Sequence, residues 1–388
     1  MDLVVNVGSS SVKFAGFEAS GVRRFEGEAA LHGEALQLQV TDAEGGVLAD
    51  AVLPVAADPG QGVATLVEAV ADWLTTQALS PRCVLHRVVH GGSQFVAPVI
   101  IDAEVCAALE ALTVLAPLHQ PLNLAGITLM GRQYPGIPQI ACFDTAFHAQ
   151  QSPFEQHFAL PESLFAEGVR RYGFHGLSYA YLTRQLPRMG MQADARVVLC
   201  HLGSGASLCA VQGGVSVAST MGLTALDGLP MGTRTGRLDA GVVLHLLSMG
   251  WETEAITHLL YRESGLLGLS GLSADVRTLE ASPDPRAQFA LDYFAYRINA
   301  EIGSLVAILG GLDGLVFSGG IGTHSVSVRA RVLHRLASWL PLSWSEQANA
   351  SQADWLSTPD SPVTVLRMAT DEAAEIWRTG IGCLDGMR

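Results

Sequence analysis

Arginine, aspartate and histidine recur in this chain beside glycine, at places where an apolar run breaks into a turn. "HRVVHGG" sets Arg87 inside an apolar stretch just ahead of Gly91 and Gly92, and "GLPMGTRTGRLD" sets Arg234 in a glycine-rich loop. A guanidinium in such surroundings needs a partner. Its forked donors suit either a structural ion pair or a bound carboxylate or phosphate. "ACFDTAFH" carries Asp144 at the end of an apolar run, where a carboxylate can hold Mg2+, bind a reacting group or cap the following turn. Three histidines stand in apolar and glycine-rich surroundings: His119 in "APLHQP", His175 in "YGFHGLS" and His201 in "LCHLGSG". A packed core histidine and a ligand-facing one both fit such a pattern, and His175, between Phe174 and Gly176, has the most cramped setting.

Gly-Ser turns form the second kind of feature. They lie at 8–11 in "VNVGSSSVKF", at 203–207 in "HLGSGAS" and at 319–322 in "SGGIG". Glycine lets backbone amides approach a phosphate and serine adds hydroxyl donors, although ordinary hairpins use the same residues. None matches the Walker pattern. Three such turns in one chain point toward nucleotide binding. Lys13 is the sole lysine, against twenty-two arginines, so its position calls for a compact ammonium or reflects a lysine-poor composition. Anion-binding turns, arginines and a strand-end carboxylate together describe phosphoryl transfer, which works by positioning and charge neutralisation.

The elements that position these residues come in two related halves. "VVNVGSSSVKFA" (4–15) and "LCHLGSGASLCA" (199–210) both read as strand, Gly-Ser turn, strand, and Gly8 and Gly203 are 195 positions apart (203 − 8). Val84–Val89 and Ile137–Phe143 read as buried strands, and Gly62–Gln77 and Gln288–Leu309 as amphipathic helices. Leu315–Phe317 reads as a short strand feeding a Gly-rich turn, and Glu372–Ile381 as a helix. Alternating strands and helices define an α/β chain. A crossing between domains is expected near 145–155.

Composition narrows the classes. A length of 388 residues suits about two domains. With 49% hydrophobic and 15% charged residues, the chain is neither disordered nor a coiled coil. Net charge of −14 argues against nucleic acid as a partner. No secretory signal is expected, and the apolar run Leu305–Phe317 is broken by Gly310, Gly311 and Asp313, so no membrane span is expected either. Six cysteines without metal or CxxC spacing read as free thiols in a reducing cytosol. No HExxH pattern is present, and a protein-built zinc site is not expected.

Nine motifs occur in order from residue 6 to residue 322: "NVGSSSVKF", "HRVVHGG", "LAPLHQPLN", "FDTAFH", "RRYGFHGLS", "HLGSGAS", "GLPMGTRTG", "ESGLLGLSGLSADVR" and "GGIG". With "TDEA" at 370–373, the chain closely resembles the acetate kinase (acetokinase) family over essentially its whole length. The resemblance implies a duplicated actin-like, ribonuclease-H-like ATPase fold of two domains with an interdomain cleft. It implies one domain of residues 1–148 plus 373–388 on the acyl and phosphate side. The other, 149–372, would bind the nucleotide and dimerise. The implied reaction is reversible transfer of the ATP γ-phosphoryl group to a short-chain carboxylate, acetate by default, with Mg2+ (or Mn2+), in a cytoplasmic homodimer.

The same resemblance assigns roles by residue. Asn6, Asp144 and Glu372 would organise the metal. Ser9, Ser10, Ser11, Lys13, His201, Gly203, Ser204 and Gly205 would face the nucleotide phosphates. Arg87 and Arg234 would bind the carboxylate and neutralise the transferring phosphoryl group, with His175 hydrogen-bonding that charge. Val89, Leu118, Phe174 and Ala225 would line the acyl pocket. Asp275, Val276, Arg277, Gly320, Ile321 and Gly322 would hold the adenosine. A carboxylate is already ionised at neutral pH, so in-line attack needs no general base.

Departures from the family's motifs fall close to these residues. Ser204 stands for asparagine, Leu177 and Tyr179 for threonine and histidine, Thr323 and His324 for glutamate and asparagine, Ala225 for proline, and Arg237 for aspartate. Arg237 adds positive charge close to Arg234 in sequence, and losing the proline ring at Ala225 could admit a longer acyl chain. Two alternatives follow: a kinase preferring propionate or butyrate, or a catalytically weakened nucleotide-binding relative with a regulatory role.

Overall fold

A computed structural model describes residues 1–8, 10–33, 35–54 and 62–385. The chain forms two compact units, Met1–Ala146 with Asp371–Arg388, and Phe147–Thr370. The first carries β1 (Asp2–Val7), β2 (Ser11–Phe17), β3 (Arg23–His32), β4 (Ala35–Asp42), β5 (Val47–Pro54), β6 (Cys83–Val88), β7 (Val99–Ile100) and β8 (Gln139–Phe143). They lie in the order β5-β4-β3-β2-β1-β6-β8-β7. The second carries β9 (Val197–Leu202), β10 (Ala206–Gln212), β11 (Val215–Ser219), β12 (Gly314–Ser318) and β13 (Thr364–Arg367), ordered β11-β10-β9-β12-β13.

The two sheets repeat one plan. Each has a three-stranded antiparallel meander followed by two parallel strands: β3-β2-β1-β6-β8 in the first unit and β11-β10-β9-β12-β13 in the second. This is the duplicated actin-like arrangement. The first unit extends it with β4 and β5 on one edge and β7 on the other. Register repeats as well: Asn6 pairs with Lys13 across β1 and β2, and His201 pairs with Ser207 across β9 and β10. Gly8 and Gly203 follow two residues after Asn6 and His201, so each first hairpin presents a polar pair just before its glycine turn.

Strand alternation decides which way those pairs point. Leu3, Val5 and Val7 of β1 pack with Leu66, Val67, Val70, Trp73 and Leu74 of the helix Gly62–Thr76. Asn6 therefore faces the opposite side. There the C-terminal helix Glu372–Asp385 lies, with the Trp377 indole N–H donating to Asp2 at 2.8 Å. In the second unit Val197, Leu199, Cys209 and Val211 pack with Tyr179 and Leu182 of the helix Gly176–Gln185. His201 and Ser207 share that parity and face the same helix.

One expectation is corrected here. "SGGIG" was expected as a Gly-rich turn, yet Gly319–His324 is a short helix that starts directly after β12. Gly319 takes the whole reversal itself, at φ +73°, and a Cβ there would sit 2.5 Å from the Leu202 carbonyl oxygen. Only glycine fits that approach, which leaves Gly320, Ile321 and Gly322 free to be helical.

Candidate active site

In the first unit the site grows from the C-terminal ends of parallel strands β6 and β8, where α/β folds bind ligands. Arg87, on β6, is 17% exposed and reaches three residues. Nη2 and Nε engage Asp144, the latter at 3.3 Å, and Nη1 donates to Asn6 Oδ1 at 3.3 Å. Glu372 Oε2, at the start of the C-terminal helix, lies 3.8 Å from Nε. Burial opposes the guanidinium charge, but Asp144 and Glu372 outweigh it and raise the Arg87 pKa. Asp144 itself is buried at 1% exposure, just past β8. Three residues distant in sequence thus meet at one cation.

Behind them stands a layer of buried amides. Asn123 donates to the Val7 carbonyl at 3.2 Å and accepts from the Val89 N–H at 3.0 Å, joining the end of β1 to the turn after β6. Gln120 brackets His90 through both its N–H and its carbonyl. Val89 is buried, and Leu118 is half-buried in the segment before the helix Gln120–Gln133. Lys13 is exposed on β2, with Asn6 on one side and Glu28 on the other. Ser10 and Ser11 border the Gly8 turn, whose N–H donates to the Ser11 carbonyl at 2.8 Å. Ser9 lies outside the described residues.

The second unit builds its cluster around His175, the residue capping the helix Gly176–Gln185 in a left-handed conformation (φ 58°, ψ 23°). Its ring stacks on His201 with centroids 4.3 Å apart, and His201 Nδ1 lies 2.8 Å from Ser178 Oγ. Gly205 marks where the cluster converges. A Cβ added there would fall 2.9 Å from Arg234 Nη2 and 3.3 Å from His175 Nε2. Arg234 is anchored by Nη1 donating to the Ala225 carbonyl at 2.7 Å, and burial lowers its pKa. A half-buried cation held by an uncharged carbonyl is suited to receiving an anion. The Ser204 carbonyl accepts from the Gly232 N–H at 3.3 Å, tying the Gly203–Gly205 turn to the arginine loop.

The remaining expected residues are also in the second unit. Phe174 is buried, and its carbonyl accepts from His148 Nε2 at 3.0 Å. Asp275 caps the helix Val276–Ala281 and pairs with the exposed Arg277 at 2.8 Å. Gly320 has open space where a side chain would go. The departures resolve individually. Thr323 turns its hydroxyl inward to the Gly319 carbonyl at 2.7 Å, whereas His324 is exposed. Arg237 directs its charge to Glu301, 3.5 Å away on the helix Pro285–Leu309.

Sequence reading did not assign Asn123, Gln120, His148 or Ser207. All four lay inside quoted motifs, and Asn123, Gln120 and His148 stood there as polar residues among apolar neighbours, which was their available signal. Ser207 looked like an ordinary strand serine. For a metal, Asn6, Asp144 and Glu372 offer an amide oxygen and two carboxylates around one guanidinium, which are hard donors of the kind Mg2+ takes. Among the described residues no three of His, Cys, Asp and Glu cluster to hold an ion. Mg2+ commonly completes its shell with water and substrate phosphates, so the residues present fit it.

A duplicated actin-like α/β fold with cations at its strand ends and turns is an architecture suited to ATP-dependent phosphoryl transfer. Residues 1–378 match the model of the acetokinase family, and the chain belongs to that family. It is 48% identical over 396 aligned positions to an acetate kinase of Rhodopseudomonas palustris, covering 98% of each chain. It is 47% identical over 377 positions to an acetate kinase of Nitrobacter hamburgensis, covering 95% of this chain and 93% of that one. Among solved structures, a propionate kinase from Francisella tularensis superposes with a TM-score of 0.88 at 32% identity, covering 98% of each chain. Porphyromonas gingivalis acetate kinase superposes with 0.85 at 34%, covering 99% of each.

Proposed function

We propose that this chain transfers the γ-phosphoryl group of ATP to acetate, reversibly giving acetyl phosphate and ADP. The observation that carries the reading is the convergence of Arg234 Nη2 and His175 Nε2 at Gly205, a cation and a ring nitrogen aimed at one point in a member of this family. Arg87 and Arg234 orient the carboxylate and neutralise the equatorial oxygens of the moving group. His175 donates to the same charge, which is greatest in the transition state. A carboxylate oxygen attacks phosphorus directly, in line with the leaving ADP oxygen. Asn6, Asp144 and Glu372 would hold Mg2+ (or Mn2+), which would supply charge neutralisation to the nucleotide phosphates when bound. Ser10, Ser11, Lys13, His201, Gly203, Ser204 and Gly205 face those phosphates, and the Asp275–Arg277 and Gly320–Gly322 segments receive the adenosine.

Val89, Leu118, Phe174 and Ala225 bound the acyl group. Propionate stands close behind acetate, because Ala225 replaces a proline ring and one methylene changes discrimination by only about 1–3 kcal/mol. Six free cysteines suit the reducing cytosol. The reading includes a homodimer through the second unit. The helix Ala240–Ser248 buries none of its residues although it is largely apolar. Leu244 is 67% exposed, and Phe289, Tyr293 and Tyr296 form an exposed aromatic stripe on the helix Pro285–Leu309. Exposed apolar faces of this character are expected to be covered. The test of activity supplies ATP, Mg2+ and acetate, propionate or butyrate with hydroxylamine, which traps acyl phosphate as the hydroxamate. Hydroxamate from acetate supports the proposal; none from any of the three acids removes it.

A further inference from the structure

Taking His175 as the donor to the transferring phosphoryl group, we infer that Tyr179 and Ser207 form a hydrogen-bond relay that fixes which ring nitrogen of His175 carries the proton. Ser207 Oγ lies 2.8 Å from His175 Nδ1 and 2.5 Å from the Tyr179 hydroxyl. The placement follows from the local fold. Tyr179 is one helical turn after His175 on the helix Gly176–Gln185, so both side chains lie on one face. Ser207 is the register partner of His201 on the sheet face which that helix covers.

Counting protons settles the direction of the relay. Tyr179 is wholly buried, and burial raises its pKa well above the ordinary phenol value, so it keeps its proton. Its oxygen is already hydrogen-bonded to the His201 backbone. Among the described residues, Ser207 Oγ is the acceptor within reach of the phenol O–H. Ser207 then accepts from Tyr179, and its single proton goes to its other neighbour, His175 Nδ1. Nδ1 is therefore an acceptor, and the neutral ring carries its proton on Nε2. That is the nitrogen beside Gly205, where Arg234 Nη2 also points. Stacking on His201 holds the ring plane while the relay sets its proton. Tyr179 and Ser207 are positioning residues. Tyr179 stands where the family's usual motif has histidine.

The experiment is 15N NMR of the full chain with labelled histidine, with the His175 signals assigned by their loss in His175→Gln. The wild type is expected to show the Nε2–H tautomer at His175. Tyr179→Phe keeps the ring and removes the donor. It should produce a mixture of tautomers and lower kcat about tenfold, with KM for acetate within about twofold. Ser207→Ala should act in the same direction. An Nδ1–H tautomer in the wild type would overturn the relay. So would tautomer populations and kcat unchanged in both variants. If the wild type makes no acyl phosphate, the phosphotransfer reading fails, and the tautomer measurement still decides the relay.

Discussion

Arg87 grips Asp144 with two nitrogens of one guanidinium, Nη2 on Oδ2 and Nε on Oδ1 at 3.3 Å. The same group reaches Asn6 and Glu372, so a fork is needed rather than a point charge. Arg87→Lys is expected to lower kcat/KM for acetate by about 10²-fold or more, and Arg87→Ala to lose as much and also melt earlier. Steady-state kinetics with thermal melts check this. Wild-type kcat/KM in Arg87→Lys would show that the fork is not used.

Gly205→Ala should separate activity from folding. The new methyl would meet Arg234 Nη2 at 2.9 Å, and the end of an arginine side chain can move aside at small cost to the fold. Displacing that guanidinium removes it from its position. The expected result is a fall in kcat of about 10²-fold with a nearly unchanged melting temperature. An unchanged kcat would mean that Arg234 does not work from where it sits.

These two clusters explain what the sequence could and could not disclose. The α/β class was legible from alternating strands and helices, and the Gly8 and Gly203 turns in the same strand context hinted at duplication. The actin-like fold came from the family resemblance, and the repeated strand order agrees with it. The meeting of Arg87, Asp144 and Glu372 was not legible from spacing, because parallel strands and the C-terminal helix bring residues 57 and 228 apart in sequence to one another (144 − 87 and 372 − 144). Tyr179 was legible only as a departure from a motif. Its partner Ser207 is 28 residues away on a strand, and only the sheet register makes them neighbours. The helix at Gly319–His324 was hidden for a different reason: three glycines in "SGGIG" resemble a loop until the close approach of Gly319 to Leu202 is known.

Stability should fall on mild acidification. Burial lowers the pKa values of His86 and His148 from 6.5 to about 4, so the native state holds both rings neutral. In the unfolded chain they protonate near 6.5. Between these values the unfolded state binds more protons, and stability therefore rises with pH across the window. Each ring contributes on the order of 3 kcal/mol at neutral pH that is lost progressively from about pH 6.5 down to about pH 4. Urea midpoints measured from pH 7 to pH 4 should decline through that range. A flat profile would mean that the two rings are not held neutral.

Lys13 tests the first hairpin. It is exposed and pairs in register with Asn6, as Ser207 does with His201. Lys13→Arg keeps the charge and changes its shape, and it is expected to raise KM for ATP about tenfold with little effect on melting. Wild-type kinetics would return this lysine to the background of the composition.

The most direct measurement follows an oxygen atom. Acetate labelled with 18O in both carboxyl positions is supplied with ATP and Mg2+, and the acetyl phosphate formed is cleaved at its acyl carbon by hydroxylamine. Direct attack of the carboxylate on phosphorus makes the labelled oxygen the bridge, so the released phosphate should carry one 18O by 31P NMR. Phosphate without label, or no acetyl phosphate at all, would contradict transfer to acetate by this route.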